Sequence, residues 1–204
     1  NEYITSAAAQ ALHARVALYM QDWDTAIEYA SILIDDKKNT FKLADAKTKY
    51  NADYTFFDYM WAYDLSYEII WRIGFTETSY GSPLGTVFLN FTKDLTYYYP
   101  DYVPATAALN LYDAADLRYS GYFAGKEQGL TIGYTNGLDW PMLVKYYGNR
   151  NFTSKLIFHV SMPKPFRLAE QYLIRAEAYC RKNDFTKAGN DLTALRKMRY
   201  ASGG

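Results

Sequence analysis

Two stretches of this chain, 162 positions apart, repeat one helix–turn–helix pattern, and any fold must find a place for both. In the first, Ala8, Ala11, Leu12, Val16 and Tyr19 fall on one helical stripe, and Trp23, Ala26, Ile27, Ala30 and Leu33 fall on a second. Only Gln21-Asp22 separates them, so the two helices must run antiparallel. In the second, Leu168, Tyr172, Leu173, Ala176, Tyr179 and Cys180 form a stripe. Lys182-Asn183-Asp184 turns, and Phe185, Ala188, Leu192 and Leu195 follow. Without a gap, Ala14 meets Ala176, Asp22 meets Asp184, Trp23 meets Phe185 and Ala26 meets Ala188. Small residues let two helices approach while an aromatic fills the wedge between them, as in a tetratricopeptide unit. Two copies are too few for a solenoid, so other elements must cover their faces.

Between the pairs the texture changes. The spacing predicts a helix over 53–65 with Phe56, Tyr59, Met60 and Tyr63 on one side, and a β-branched, aromatic strand over 67–75. Residues 76–85 and 96–102 read as loops. Pro104 suits the first turn of a helix running to about 117, with Ala105, Ala108, Leu109 and Tyr112 inward. Glycines and alternating Tyr, Ile and Phe over 120–138 predict one or two short strands, and 155–160 another. The expected fold is mainly α: antiparallel helix pairs over 5–36 and 166–199 flanking an irregular aromatic-rich segment, 49–165, within one domain spanning 1–204. The chain opens on Asn1 with no apolar signal region and closes soon after a helical pattern, which reads as a mature or trimmed piece of a longer protein.

Charge and composition exclude several function classes. There are 22 Lys+Arg against 22 Asp+Glu, and no basic run exceeds two residues, so there is no electrostatic footprint for nucleic acid or an anionic membrane surface. No window approaches the ~18 apolar residues of a membrane-spanning helix. A single cysteine rules out a disulfide framework, and two isolated histidines rule out a His/Cys metal cage; no cofactor motif is present. His13 and His159 read as structural, and Cys180 as a small inert hydrophobe on a helix stripe.

Carboxylate pairs are the remaining catalytic candidates, because glycoside hydrolysis needs only two Asp/Glu at a set separation. Asp113 and Asp116 lie three apart on the predicted 104–117 helix, with Arg118 near enough for a local ion pair. Glu170 and Glu177, with Arg167 and Arg175 between and beside them, have the spacing of ion pairs that lock a helix to its neighbours. Nothing in either set requires catalysis.

The surplus lies in aromatics: 22 Tyr, 11 Phe and 4 Trp. Tyr97, Tyr98, Tyr99 and Tyr102 crowd around Pro100 in a loop whose core cannot use all four. Tyr80 in the Gly/Ser/Pro loop and Trp140 before Pro141 are similar, as is Tyr146-Tyr147 before Gly148. Rigid rings stack on the C–H faces of sugars at low side-chain entropy cost, and phenol hydroxyls can bond sugar hydroxyls. Without interleaved basic residues, base stacking loses its electrostatic half. Tyr80, Tyr97, Tyr98, Tyr99, Tyr102 and Trp140 are therefore the candidate ligand-binding set. A helical-repeat protein–protein interaction module is the alternative, and a glycoside hydrolase using Asp113 or Asp116 a distant third.

The last helix pair also carries a recognisable string. Arg-Leu-Ala-Glu-Gln-Tyr-Leu-Ile-Arg-Ala-Glu-Ala-Tyr over 167–179, followed by Ala-Gly-Asn-Asp-Leu-Thr-Ala-Leu-Arg-Lys-Met-Arg over 188–199, closely resembles a signature of the SusD/RagB family. Similar pieces occur in the same order upstream: Ala-Leu-His-Ala-Arg-Val-Ala-Leu-Tyr over 11–19 with Asp-Trp-Asp-Thr-Ala over 22–26, and Tyr-Glu-Ile-Ile-Trp over 67–71. Tyr-Asp-Ala-Ala-Asp-Leu-Arg over 112–118 and Lys145-Tyr146 complete the series. The resemblance implies a SusD-like fold and no enzymatic activity. It implies capture of oligosaccharide or polysaccharide at the cell surface of Gram-negative bacteria and delivery to a SusC-like TonB-dependent transporter. It further implies an outer-membrane lipoprotein whose lipid anchor is absent from this chain, and longer relatives, so that this would be a partial SusD-like domain. The helix signature is structural and carries no ligand residues with it.

Overall fold

The structure, a computed structural model, describes residues 2–38, 40–81, 83–90, 97–133 and 139–202. In chain order the elements are α1 (Ser6–Tyr19), α2 (Trp23–Ile34), α3 (Phe56–Tyr63), β1 (Ile69–Trp71), α4 (Thr86–Leu89), α5 (Thr106–Leu109), α6 (Arg118–Tyr122), β2 (Phe123–Ala124), β3 (Met142–Leu143), α7 (Arg150–Thr153), β4 (Phe166–Arg167), α8 (Leu168–Arg181) and α9 (Phe185–Lys197). No helix among the described residues is long and apolar enough to cross a membrane. The chain divides into two compact units.

One unit comprises residues 1–47, 65–74 and 163–204. Here α1 packs on α2, α2 on α8, and α8 on α9. The repeat seen in the sequence is reproduced hydrogen bond for hydrogen bond. The Asp22 carboxylate accepts the Thr25 N–H at 3.2 Å to start α2, and Asp184 accepts the Lys187 N–H at 3.1 Å to start α9. Gln21 and Asn183, the residues before those caps, both adopt left-handed backbone (φ 60° and 63°). The cap N–H donates to Ala17 O in one turn and to Tyr179 O in the other, each at 2.9 Å.

The buried stripe of α1 shares only Ala8 and Ala11 with the predicted one. Ala8, Ala11, Ala14 and Ala17 are buried, whereas Leu12, Val16 and Tyr19 are exposed, Tyr19 by 82 %. Methyl side chains let the α1 backbone close on Ala26, Ala30, Ile174 and Ala178, a distance that branched residues would hold open. Leu173, Phe185 and Leu192 are likewise exposed, as is Cys180, which was expected on the apolar stripe. β1 and β4 pair antiparallel, Ile69 opposite Arg167 and Trp71 opposite Phe166.

Polar side chains tie this unit together. The fully buried Glu68 carboxylate accepts from Arg167 at 2.8 Å, Arg199 at 2.6 Å and the Ala44 N–H at 2.7 Å. Arg175 donates twice to Asp191 (2.8 and 2.7 Å) and once to Asp35 (2.7 Å). Arg15 grips Glu170 at 2.5 and 2.8 Å, its guanidinium 4.4 Å over the Phe166 ring. The bond to Glu170 raises the Arg15 pKa further above its already high ordinary value. Glu170 and Arg175 thus serve as the interhelical ion pairs expected of their spacing, while Glu177 pairs along its own helix with Arg181.

The other unit comprises residues 48–64 and 75–162. α3 begins with a capping box between Thr55 and Asp58 and buries Phe57, Met60 and Trp61. Of the four residues predicted to share its inner side, only Met60 is buried; Phe56 is exposed, and Tyr59 and Tyr63 are half-buried. The predicted 104–117 helix shrinks to the single turn α5, with Ala105 and Ala108 exposed. Asp113 accepts the Ala115 N–H and Asp116 the Arg118 N–H (2.9 and 3.0 Å), and these local bonds compete with the helical ladder. Over 120–133, the helix α6 precedes the two-residue strand β2, which pairs with β3. Residues 155–160 form no strand, because Leu156 and His159 take left-handed φ of 64° and 63°. Leu89, Tyr98, Ile132 and Met142 form one apolar cluster, and Phe152, Val160 and Met162 another.

Candidate ligand-binding surface

β2, the loop after it and the residues leading into β3 line a hollow of about 260 Å³. Phe123 faces Leu143 and Ala124 faces Met142 in the ladder, after which the chain turns at Gly125. Gln128 Oε1 accepts the Gly125 N–H at 2.8 Å, and Leu130 N–H donates back to Gly125 O at 3.0 Å. Gly129 closes this loop at φ 79°, a backbone that favours glycine. Asp139 Oδ1 accepts the Lys126 N–H at 3.4 Å and holds the loop against the start of β3.

The lining combines an aromatic wall with a polar rim. Tyr119 supplies an exposed ring, with the buried Phe123 ring 5.3 Å away and tilted 52° and Tyr112 edge-on to both. Ser120, Lys126, Glu127, Gln128 and Asp139 supply donors and acceptors of both signs. A neutral ligand with one apolar face and many hydroxyls matches that combination better than an ion does. Tyr119 and Phe123 were not singled out from sequence. The signal available was the density of rings at 112, 119, 122 and 123 between small residues.

The six residues expected to bind ligand occupy different environments. Tyr97 is 41 % exposed and Tyr102 67 % exposed. Tyr98 is buried among Leu89, Ile132 and Met142; its N–H donates to Thr131 O at 2.8 Å. Burial and the neighbouring Tyr147 phenol push its pKa well up. Tyr99 is half-buried, with its ring where a side chain on Gly133 would stand. Trp140 lies between the hollow-lining Asp139 and Pro141, but its indole N–H donates to Pro104 O at 3.0 Å and its ring packs on the Tyr98 cluster. Trp140 thus ties the 101–104 segment, with Tyr102, to β3. Tyr80 is exposed in its own loop and makes no ring contact among the described residues. Tyr98 and Trp140 are therefore brought together, as packing rather than as open faces.

The catalytic candidates are occupied. Asp116 is buried and accepts a paired grip from the Arg118 guanidinium at 2.9 and 3.1 Å, with a shorter third contact; that bond raises the Arg118 pKa. Asp113 spends an oxygen on its own turn. His13 is exposed, 3.8 Å from the Tyr29 ring. His159 is buried with Nδ1 2.9 Å from Tyr147 O, and desolvation lowers its pKa against the carbonyls of Tyr147 and Leu89. Among the described residues, no group of His, Cys, Asp and Glu could hold a metal ion.

No family model matches the chain, and no curated protein matches it. Solved structures do. A SusD superfamily protein from Bacteroides thetaiotaomicron superposes with a TM-score of 0.72 at 21 % identity, over 99 % of this chain and 43 % of its own. Surface glycan-binding protein A from Bacteroides uniformis gives 0.70 at 18 % identity, over 100 % and 44 %. Surface glycan-binding protein A from Bacteroides thetaiotaomicron in complex with laminarihexaose gives 0.67 at 18 % identity, over 99 % and 49 %. The chain therefore has a SusD-like, mainly helical fold and spans less than half the length of each of these structures.

Proposed function

We propose that this chain is part of a SusD/RagB-family surface glycan-binding protein, non-catalytic, that holds oligosaccharide or polysaccharide. The observation that carries the reading is the SusD-like fold over essentially the whole chain, shared with surface glycan-binding proteins, one of them in complex with laminarihexaose. The hollow lined by Tyr119 and Phe123 is the site, and exposed Tyr97, Tyr102 and Tyr80 are further candidate contacts. Ring faces take the C–H surface of a sugar, and the Ser120, Gln128 and Asp139 side chains bond its hydroxyls. Asp116, locked by Arg118, supports a binding role over an acid/base one. In the full-length parent, an outer-membrane lipoprotein, the bound saccharide passes to a SusC-like TonB-dependent transporter.

Native affinity electrophoresis through gels containing soluble polysaccharides, beside an inert control protein, tests the reading. Selective retardation in at least one gel is expected. Equal mobility of chain and control in every gel, for this chain and for its parent, would reject it.

A second reading rests on α1, whose Leu12, Val16 and Tyr19, with Met20 just beyond its end, leave an exposed apolar stripe of the kind that helical-repeat interaction modules present to a protein. It expects protein capture abolished by Leu12→Asp with saccharide retention absent.

A further inference from the structure

We propose that Tyr50, Tyr54, Phe56, Tyr59 and Tyr63 form a second saccharide-stacking platform, separate from the hollow, for an uncharged glycan chain. It rests on the glycan-binding reading above and adds a site to it.

The platform begins with an inversion on α3. The side that packs inward carries Phe57, Met60 and Trp61, so Phe56, Tyr59 and Tyr63 occupy the side where an amphipathic helix ordinarily places charged residues. Phe56 is exposed and Tyr50 is 50 % exposed. Tyr50 and Tyr54 come from the turn preceding the helix, and that turn is tightly built. Asn51 Oδ1 accepts the N–H groups of Asp53 (3.0 Å) and Tyr54 (2.9 Å). Tyr50 N–H donates to Tyr54 O at 2.8 Å and Phe56 N–H to Thr48 O at 3.1 Å, with Lys49 bridged to Thr55. The capping box of Thr55 and Asp58 fixes the turn to the first helical residues.

These restraints set the rings in a column. Tyr50 lies 3.9 Å from Tyr59 at 32°, and Tyr59 stacks on Tyr63 at 4.6 Å and 25°. Tyr54 meets Tyr63 edge-on at 5.6 Å, and Phe56 meets Tyr50 edge-on at 5.4 Å. Tyr50, half in solvent, ends the column, held in orientation by the rings behind it. A stacking face held in advance loses little entropy on binding. The row of phenols beside it offers hydroxyls to a polyhydroxylated ligand.

The surrounding charge selects the class. Lys47, Lys49, Asp53, Asp58 and Asp64 are the nearest formal charges in sequence; Asp58 is engaged in the capping box, and Asp64 is buried and accepts from Asn149 and the Met162 N–H. Two cations against three carboxylates give no attraction for a polyanion such as nucleic acid. An uncharged sugar polymer fits the rings and meets no charge penalty.

The test runs the whole chain through affinity gels containing laminarin, starch or xylan, comparing wild type with Tyr50→Ala, Tyr50→Phe, Asn51→Ala and the hollow variant Tyr119→Ala. In the gel that retards wild type, Tyr50→Ala and Asn51→Ala are expected to cut retardation at least fivefold. Tyr50→Phe, which keeps the face, is expected to retain most of it. Melting curves check that each variant is folded, and Tyr50→Phe serves as the guard if Tyr50→Ala is not. Wild-type retardation by Tyr50→Ala, with loss in Tyr119→Ala, would overturn the platform and leave the glycan reading standing. Wild type running with the control in all gels would overturn both. Unchanged retardation together with a dimer that Tyr50→Ala abolishes would assign the rings to self-association and overturn the saccharide platform.

Discussion

Arg199 donates to Glu68 at 2.6 Å across 131 residues of sequence, both side chains buried. The same carboxylate accepts from Arg167 and from the Ala44 N–H, so all three stretches of this unit meet on two oxygens. Glu68 and Arg167 also sit at the same end of the β1–β4 pairing, where Ile69 lies opposite Arg167 and the Leu168 N–H donates to Glu68 O at 2.9 Å, so the ion pair closes one end of two short strands.

Glu68→Gln removes the charge and leaves the buried Arg199 without its counter-ion. Breaking such a pair from one side costs about 3–5 kcal/mol, a large share of a typical domain's stability. Urea unfolding should show a lower midpoint at unchanged slope. A loss under about 1 kcal/mol would mean the network is not structurally decisive.

Gln171 is fully buried on α8, and neither its Nε2 nor its Oε1 has a hydrogen-bond partner among the described residues. An unsatisfied buried amide costs about 1–3 kcal/mol. Gln171→Met keeps the shape and removes both polar atoms, so the variant should unfold later than wild type by about 1–2 kcal/mol in denaturant. Destabilisation instead would reveal a partner for the amide.

His159 gives the unit of residues 48–64 and 75–162 a pH signature. Burial lowers its folded pKa below the ordinary 6.5, so the unfolded chain takes up the proton first. Between 6.5 and the lowered folded value the unfolded state holds more protons, and stability falls as pH drops through that window. His159→Asn, which tolerates the left-handed backbone there, should flatten this part of the stability–pH curve. An identical slope in the variant would assign the effect to other groups.

Around the hollow, loss of ligand and loss of fold should separate by residue. Tyr119→Ala and Tyr102→Ala, at exposed rings, should weaken saccharide retention severalfold with little change in melting temperature. Tyr98→Ala opens a cavity in its cluster and should destabilise by about 3–5 kcal/mol, as buried aromatic truncations do. Equal melting losses in all three would place Tyr119 and Tyr102 in packing.

The helix pairs were legible because capping and periodicity are local: Asp22 and Asp184 announce their helices, and Ala14, Ala26, Ala176 and Ala188 are all buried as the repeat implies. The α1 stripe holds at Ala8 and Ala11 and fails at Leu12, Val16 and Tyr19, because close helix approach selects methyl groups over larger apolar side chains at the same spacing. In the middle segment, the pattern around Pro104 could not weigh the Asp113 and Asp116 side-chain bonds that end helical hydrogen bonding. The loop tyrosines stand out as an excess in the sequence, yet Tyr98 alternates inward between Tyr97 and Tyr99, and only pairing with residues 131–133 decides which of three neighbours faces solvent. Tyr119 and Phe123 form a local pair four residues apart, but the hollow beside them also needs Asp139 and Pro141, which the β2–β3 ladder brings near, and ring spacing alone does not encode that.

The grip of Arg15 on Glu170, 155 residues away, has a consequence for synthesis on the ribosome. α1 and α2 emerge early, but α8, which closes their alanine seam, emerges only after the whole middle segment has been translated. At about 5–20 residues per second, that delay is on the order of ten seconds. During it the first two helices exist as half a core, so completion of this unit is timed by elongation of the chain rather than by the formation of its helices, which takes microseconds.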